Sequence, residues 1–221
     1  QGGCDSMSSE RPRQESVESL DLLEVFDRFR AVRVRSEELS SRLSPEDCAI
    51  QSMPDASPTK WHLAHTSWFF ETFVLAPFVA GYRHFEPMYG YLFNSYYNTV
   101  GVQHPRRERG FLSRPDLEEV FSYRQYVDRE LLAYLNDSNI TSDHLNLIEL
   151  GIQHEQQHQE LILTDVKHLF SQNPLQPAYN ASAPLVSGSA PKRNWVHFQK
   201  GLYQIGHESD ISPMTNPVFH Y

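Results

Sequence analysis

Apolar residues recur at three- and four-residue steps along four long stretches of the chain, with charged and polar residues between them. This periodicity is typical of amphipathic helices that bury one face against each other. The predicted helices cover residues 15–43, 57–75, 115–135 and 141–170. Four long helices with short or loop-rich connections predict an all-α fold, a four-helix bundle over residues 15–171.

The expected ends of these helices rest on residues that cap or break helices. Ser57 is predicted as the N-cap of the second helix, with Pro58 at its first helical position. Pro77 is expected to lie beyond the end of that helix, because proline breaks a helix interior. Thr141 or Ser142 is predicted to cap the last helix.

A long segment, residues 81–113, separates the second and third predicted helices. It is rich in aromatic residues, histidine, glycine and arginine, and its periodicity is weak. We predict a packed loop with one short helix near residues 93–100. A structured loop of this length is more often functional than idle.

The composition changes on either side of the bundle. Residues 1–14 are polar and are expected to be disordered, and residues 172–194, rich in Pro, Ala and Ser, are expected to form a linker. From residue 195 the pattern alternates as in a strand, with a turn at Lys200-Gly201. One hairpin cannot bury a core. We therefore expect residues 195–221 to be the beginning of a β-rich domain that is truncated in this chain.

The composition also limits the functions to consider. Hydrophobic residues make up 39% and charged residues 21% of the 221 positions, which indicates a globular chain. The formal net charge of -9 repels phosphate backbones, so no nucleic-acid partner is expected. No run of about 18 apolar residues is present, so no membrane partner is expected. Two cysteines without a CxxC pair, and an N-terminus without an apolar signal core, predict a cytoplasmic location.

Two of the 11 histidines are spaced for metal binding. His154 and His158 lie four residues apart, so they project from one face of the last helix, about 5–6 Å apart at Cβ. Apolar residues near the same meridian predict that the pair faces the core. The segment also matches the HExxH pattern of zinc proteases, with Glu155 as the base, so a protease is one alternative. A pair of helix histidines hydrogen-bonded to neighbours is another.

A third ligand is expected from a facing helix, because metal sites in bundles draw on several helices. His62 and His65 in the second helix are the candidates, and both lie on faces that carry aromatic residues. Spacing alone does not choose between them. Either residue could instead be a core or surface histidine, and this is the interpretation that we favour for His62.

Several segments together resemble a known family. WHLAH at residues 61–65, WFFE at residues 68–71 and the HxxxHxE element at residues 154–160 are similar to the N-terminal DinB-like domain of ergothioneine-biosynthesis sulfoxide synthases, or hercynine oxygenases. WVHFQKGLYQIG at residues 195–206 resembles the start of that family's second, formylglycine-generating-enzyme-like (C-type-lectin-like) domain. The resemblance begins at about Leu20 and implies a DinB-like four-helix bundle.

The resemblance implies a non-haem Fe(II) enzyme of ergothioneine biosynthesis. Such an enzyme uses O₂ to join a thiol donor, cysteine or γ-glutamylcysteine, to the imidazole of Nα-trimethylhistidine (hercynine) as a sulfoxide. The family's iron ligands match His65, His154 and His158, and the preference for His65 comes from this match. Three neutral imidazoles leave about three positions of a six-coordinate iron open for substrates and O₂. Asp165 or Glu160 could hold the free ring nitrogens of the ligands.

The resemblance also implies substrate-binding residues. Gln157 matches a position that contacts the histidine-derived substrate, and Tyr96 and Tyr97 match a segment that lines the pocket in part of the family. Arg106 and Arg109 lie in the equivalent of the thiol-substrate loop, where arginine would bind a carboxylate bidentately. The alternatives are an aromatic core for the tyrosines and a solvated charge cluster for the arginines.

The family's catalytic tyrosine lies in the second domain, so the catalytic residues are expected outside this chain. Only small-molecule partners are implied: Nα-trimethylhistidine, the thiol donor and O₂. Two other functions remain open. One is a DinB-type thiol transferase that uses zinc or nickel on three histidines, and the other is a non-catalytic metal-binding helical module.

Overall fold

The structure, a computed structural model, describes residues 19–95, 101–137, 139–180 and 192–203. Within these residues it contains seven α-helices, one π-helical turn and one 3₁₀ turn. In chain order they are α1 (Ser19–Ser40), α2 (Pro45–Ala49), α3 (Thr59–Phe70), the π turn (Glu71–Leu75), α4 (Ala76–Phe78), α5 (Tyr89–Leu92), the 3₁₀ turn (Arg106–Phe111), α6 (Leu117–Tyr134) and α7 (Ser142–Ser171). The predicted all-α domain is confirmed for the described residues.

The other three long helices, α1, α6 and α7, pack around α3. Helix α3 contacts both α6 and α7, and α1 packs along α7. All twelve residues of α3 are buried, including its polar ones. A helix that is apolar on most of its sides is stable only when other elements cover it all round. The polar side chains of α3 therefore lie in the interior of the bundle.

The predicted helix ends are partly confirmed. Thr141 caps α7, because its hydroxyl accepts the N–H of His144. The prediction for Ser57 is wrong: α3 begins at Thr59, after Pro58. Ser57 uses its polar groups to bind distant side chains instead, which leaves them unavailable for a cap.

The helical conformation also passes through Pro77, where the sequence predicted a stop. The π turn shifts the hydrogen-bond register, so Pro77 falls in the first turn of a new segment, α4. A missing N–H costs nothing at that position. A short helix, α5, ends at Leu92, just before the one predicted near residues 93–100. Residues 93–95 are not helical, and residues 96–100 lie outside the described residues.

The chain divides into two units, Gln1–Ser182 and Ala183–Tyr221. In the second unit, residues 192–203 form no strand, so the predicted β-rich segment is not confirmed there. The rest of that prediction, residues 204–221, lies outside the described residues, as do residues 1–14. The linker and domain boundaries stay predictions. Among the described helices, none combines the length and the hydropathy needed to cross a bilayer.

Candidate metal centre

Helices α3 and α7 bring three histidines together inside the bundle. His65 comes from α3, and His154 and His158 come from successive turns of α7. One ring nitrogen from each lies within 4.8 Å of the others, and all three side chains are buried. The i,i+4 spacing aims the pair on α7 at α3, and the packing of α3 supplies the third ring. The cluster could hold one metal ion.

The geometry around His65 fits a metal ligand. Its Nδ1 lies 2.6 Å from the carbonyl oxygen of Phe93, which only accepts, so Nδ1 carries the hydrogen and Nε2 keeps its lone pair. Metal-binding histidines almost always donate their second ring N–H in this way. The ring is also stacked between two indoles, Trp61 at 4.6 Å and Trp68 at 5.3 Å between centroids. These contacts fix its plane.

The separation of the ring nitrogens fits a shared ion. Nε2 of His65 lies 3.1 Å from Nε2 of His154. Two nitrogens bound to one ion at about 2.1 Å are about 3.0 Å apart at a right angle and about 3.4 Å apart at a tetrahedral angle. The observed distance falls in this range, so octahedral and tetrahedral ions both fit.

A fourth histidine stands behind the cluster. Nδ1 of His62 lies 2.8 Å from Nδ1 of His158, and Nε2 of His62 lies 3.0 Å from Oδ2 of Asp165. His62 is therefore not one of the three clustered residues, but it contacts one of them. Sequence reasoning treated it as a core or surface histidine. The available signal was its i,i+3 spacing from His65, which turns both rings towards α7.

The four rings are neutral at pH 7. Burial lowers the pKa of His62, although the carboxylate of Asp165 opposes this. Burial and the neighbouring histidines lower the pKa of His65 and of His158 well below the usual value, and burial lowers that of His154 to about 4. Metal ions bind only the unprotonated nitrogen. The site is thus in the protonation state that metal binding requires.

Glu155, the residue that a zinc protease would use as its base, points away from the histidines. Its carboxylate accepts hydrogen bonds from Arg33 at 2.9 Å, Arg124 at 2.9 Å and Ser36 at 2.6 Å. Burial alone would raise the pKa of Glu155, but the two guanidinium groups lower it to about 2. A carboxylate held in this way is a poor general base. The protease alternative is therefore rejected.

Arg109, one of the predicted substrate-binding residues, lies beside the histidines. Its guanidinium carbon is 3.4 Å from the ring centroid of Trp61, on whose ring His65 also stacks. The same group donates to the hydroxyl of Ser57 at 2.8 Å and to that of Ser95 at 3.0 Å. The side chain is buried and bound within the fold.

Hydrogen bonds from Gln51 to the backbone of the 3₁₀ turn set the position of Arg109. The side-chain amide of Gln51 donates to the carbonyl of Arg106 at 2.8 Å, and its oxygen accepts the N–H of Gly110 at 2.7 Å. A Cβ at Gly110 would lie 2.7 Å from Cβ of Gln51, so the close approach requires glycine. The turn is thus tied to the segment before α3.

Three of the other predicted site residues have exposed side chains. These are Arg106, Gln157 and Glu160. Asp165 or Glu160 was the possible partner of a free ring nitrogen on a metal ligand; Asp165 contacts His62 instead, and no such contact is seen for Glu160 within the described part of the chain. Tyr96 and Tyr97 lie outside the described residues. The structure therefore brings the three predicted ligands together but leaves the predicted substrate contacts untested.

The family model described as the DinB superfamily matches residues 28–162, more than half of the chain. The matched range contains α3, α6 and the three clustered histidines. No curated protein matches the chain.

Proposed function

Because the chain belongs to the DinB superfamily, we propose that it is the metal-binding part of a non-haem Fe(II) sulfoxide synthase. The reaction joins the thiol of cysteine or γ-glutamylcysteine to C2 of the imidazole of Nα-trimethylhistidine. Formation of the C–S bond and of the S–O bond removes four electrons in total. O₂ accepts them, with one oxygen atom entering the sulfoxide and the other leaving as water.

One observation carries the proposal: three neutral, buried imidazoles, on His65, His154 and His158, meet at one point. A three-histidine set with no carboxylate supplies no negative charge, and Fe(II) bound there would activate O₂ and take a thiolate beside it. Exclusion of water around the rings strengthens the electrostatic interactions inside the site. The indoles on both faces of His65 supply much of that exclusion.

The remaining residues have proposed roles in binding. Gln157 would contact Nα-trimethylhistidine, and Tyr96 and Tyr97 would line its pocket. Arg106 would bind the carboxylate of the thiol donor, helped by Arg109, whose charge lies next to the histidines and favours an anion there. The catalytic proton donor is proposed to lie in a following β-rich domain.

The test is a reconstitution under controlled oxygen. The chain is loaded with Fe(II) anaerobically, Nα-trimethylhistidine and each thiol donor are added, and binding is measured by calorimetry before O₂ is admitted. We expect Nα-trimethylhistidine to bind the loaded chain but not a His154→Ala variant. Mass spectrometry of the protein with its following domain should then show a sulfoxide only when O₂ is present. Failure of Nα-trimethylhistidine to bind would contradict the proposal.

A DinB-type thiol transferase is the second candidate. It is favoured by the match to the DinB superfamily and would use the same three histidines. It would consume thiol in the absence of O₂ and would work with zinc or nickel. Metal-dependent transfer of the thiol to an electrophile under anaerobic conditions would select it over the synthase.

A further inference from the structure

We propose that His62 and Asp165 are positioning residues for the metal centre. They hold the ring of His158 in the tautomer that presents Nε2 to a metal ion. The inference rests on the metal site of the proposed function, and it adds two residues that do not bind the ion themselves.

A chain of hydrogen bonds runs outwards from the back of His158. Its Nδ1 lies 2.8 Å from Nδ1 of His62, and Nε2 of His62 lies 3.0 Å from Oδ2 of Asp165. The same carboxylate oxygen accepts the backbone N–H of Ser57 at 2.9 Å. Both rings are buried, so each ring nitrogen needs its partner within the protein.

Counting hydrogens along this chain fixes the tautomers. An ionised carboxylate only accepts, so the hydrogen between Asp165 and His62 belongs to Nε2 of His62. The neutral ring of His62 then has a lone pair at Nδ1. Two facing nitrogens need one hydrogen between them, so that hydrogen belongs to Nδ1 of His158. Nε2 of His158 keeps its lone pair, as a metal ligand must.

His65 has the same arrangement in a shorter form. Its Nδ1 lies 2.6 Å from the carbonyl oxygen of Phe93, and this leaves Nε2 with its lone pair. For two of the three clustered histidines, a hydrogen bond at Nδ1 thus fixes the tautomer. For His65 the partner is backbone, which no substitution removes, whereas for His158 the partners are side chains. The inference is therefore testable at His158.

The expected effect is on metal affinity rather than on stoichiometry. Removal of a partner behind a metal-binding histidine typically lowers affinity about 10- to 100-fold. We expect His62→Leu and Asp165→Leu to weaken Co(II) binding by about that factor, with one ion still bound. His62→Asn retains an accepting oxygen near the position of Nδ1, and Asp165→Asn retains an oxygen for both N–H groups. Each asparagine variant should recover most of the loss.

Two measurements on the purified chain test this. Co(II) titration followed by d–d absorption gives affinity and reports changes in coordination. Long-range ¹H–¹⁵N NMR of the metal-free protein reads the tautomer of His158 directly, and we expect Nδ1–H in the wild type and a mixture in His62→Leu. The matched control is His168→Asn, which alters a histidine of the same helix that contacts Ser52 and should change neither measurement.

The possible outcomes distinguish a failure of the positioning role from a failure of the metal site itself. Equal Co(II) affinity in the wild type, His62→Leu and Asp165→Leu would overturn the positioning role and leave the metal centre standing. Absence of Co(II) binding to the wild type would overturn both. If the leucine variants do not fold, the wild-type NMR spectrum decides alone, because an Nε2–H tautomer of His158 in the metal-free protein is incompatible with the proposal.

Discussion

Replacing Glu155 by glutamine is expected to destabilise the bundle while leaving the metal ligands in place. The side chain is fully buried, and it neutralises two arginines that reach it from other helices, Arg33 of α1 and Arg124 of α6. Glutamine has nearly the same shape, so packing is preserved. The change removes the negative charge and leaves the two cations beside a neutral amide.

The magnitude follows from what remains around the arginines. Breaking a buried ion pair by removing one partner typically costs about 3–5 kcal/mol. Asp128 still pairs with Arg33 at 2.7 Å, and Glu37 lies 3.6 Å from Arg124, so we expect the lower end of that range. A loss of about 3 kcal/mol from a domain of this size lowers the melting temperature by about 6–12 °C.

The assay is urea unfolding of the metal-free protein in the presence of a chelator, followed by circular dichroism at the helix band. The matched control is Glu149→Gln on the same helix. Glu149 pairs with Arg28 at 2.6 Å, but both side chains are about one-third exposed, and such a pair contributes about 0–1 kcal/mol. Equal losses in the two variants would refute the reasoning. A zinc protease would show the opposite pattern, with an intact fold and no activity.

Three further predictions use other parts of the bundle. Gly151→Ala should lower the free energy of unfolding, measured with urea, because a Cβ there would lie 2.3 Å from the ring of Phe70; overpacking costs about 1–3 kcal/mol, and unchanged stability would contradict this. Burial raises the pKa of Cys48 to about 12, so at pH 8 it stays a thiol and should react with a disulfide reagent only after denaturation, whereas fast labelling would contradict its burial. Co(II) should quench the fluorescence of Trp61 and Trp68, which stack on His65, and the loss of emission should be the same in the wild type and in Trp195→Phe. Undiminished emission would contradict the metal site.

The long helices could be predicted because their periodicity is local, and the spacing of His154 and His158 identified the pair for the same reason. Spacing could not choose between His62 and His65, and the structure explains why. The two residues lie three apart on α3, and both rings face α7, one at the cluster and one behind His158. Periodicity reports the direction of a side chain but not its distance along that direction.

The role of Glu155 could not be read from the segment that contains it. Residues 154–158 match the HExxH pattern. Helix geometry shows only that the side chain of Glu155 projects about 100° around the helix axis from that of His154. The deciding groups, Arg33 and Arg124, come from α1 and α6, and they are 122 and 31 residues away in the chain. Long-range charge pairing of this kind has no local signature.

Ser57 shows how the failure of one local prediction exposes the organisation of the site. As an N-cap its hydroxyl would bind the first turn of α3, but it accepts from Arg109 instead, and its N–H donates to Asp165. One residue therefore joins the arginine turn to the hydrogen-bond chain that ends at His158. Both bonds are buried or partly buried, so neither is replaced by water without cost. Helix α3 therefore begins without a side-chain cap. Its start is instead hydrogen-bonded to the 3₁₀ turn and to α7, the two elements that border the metal centre.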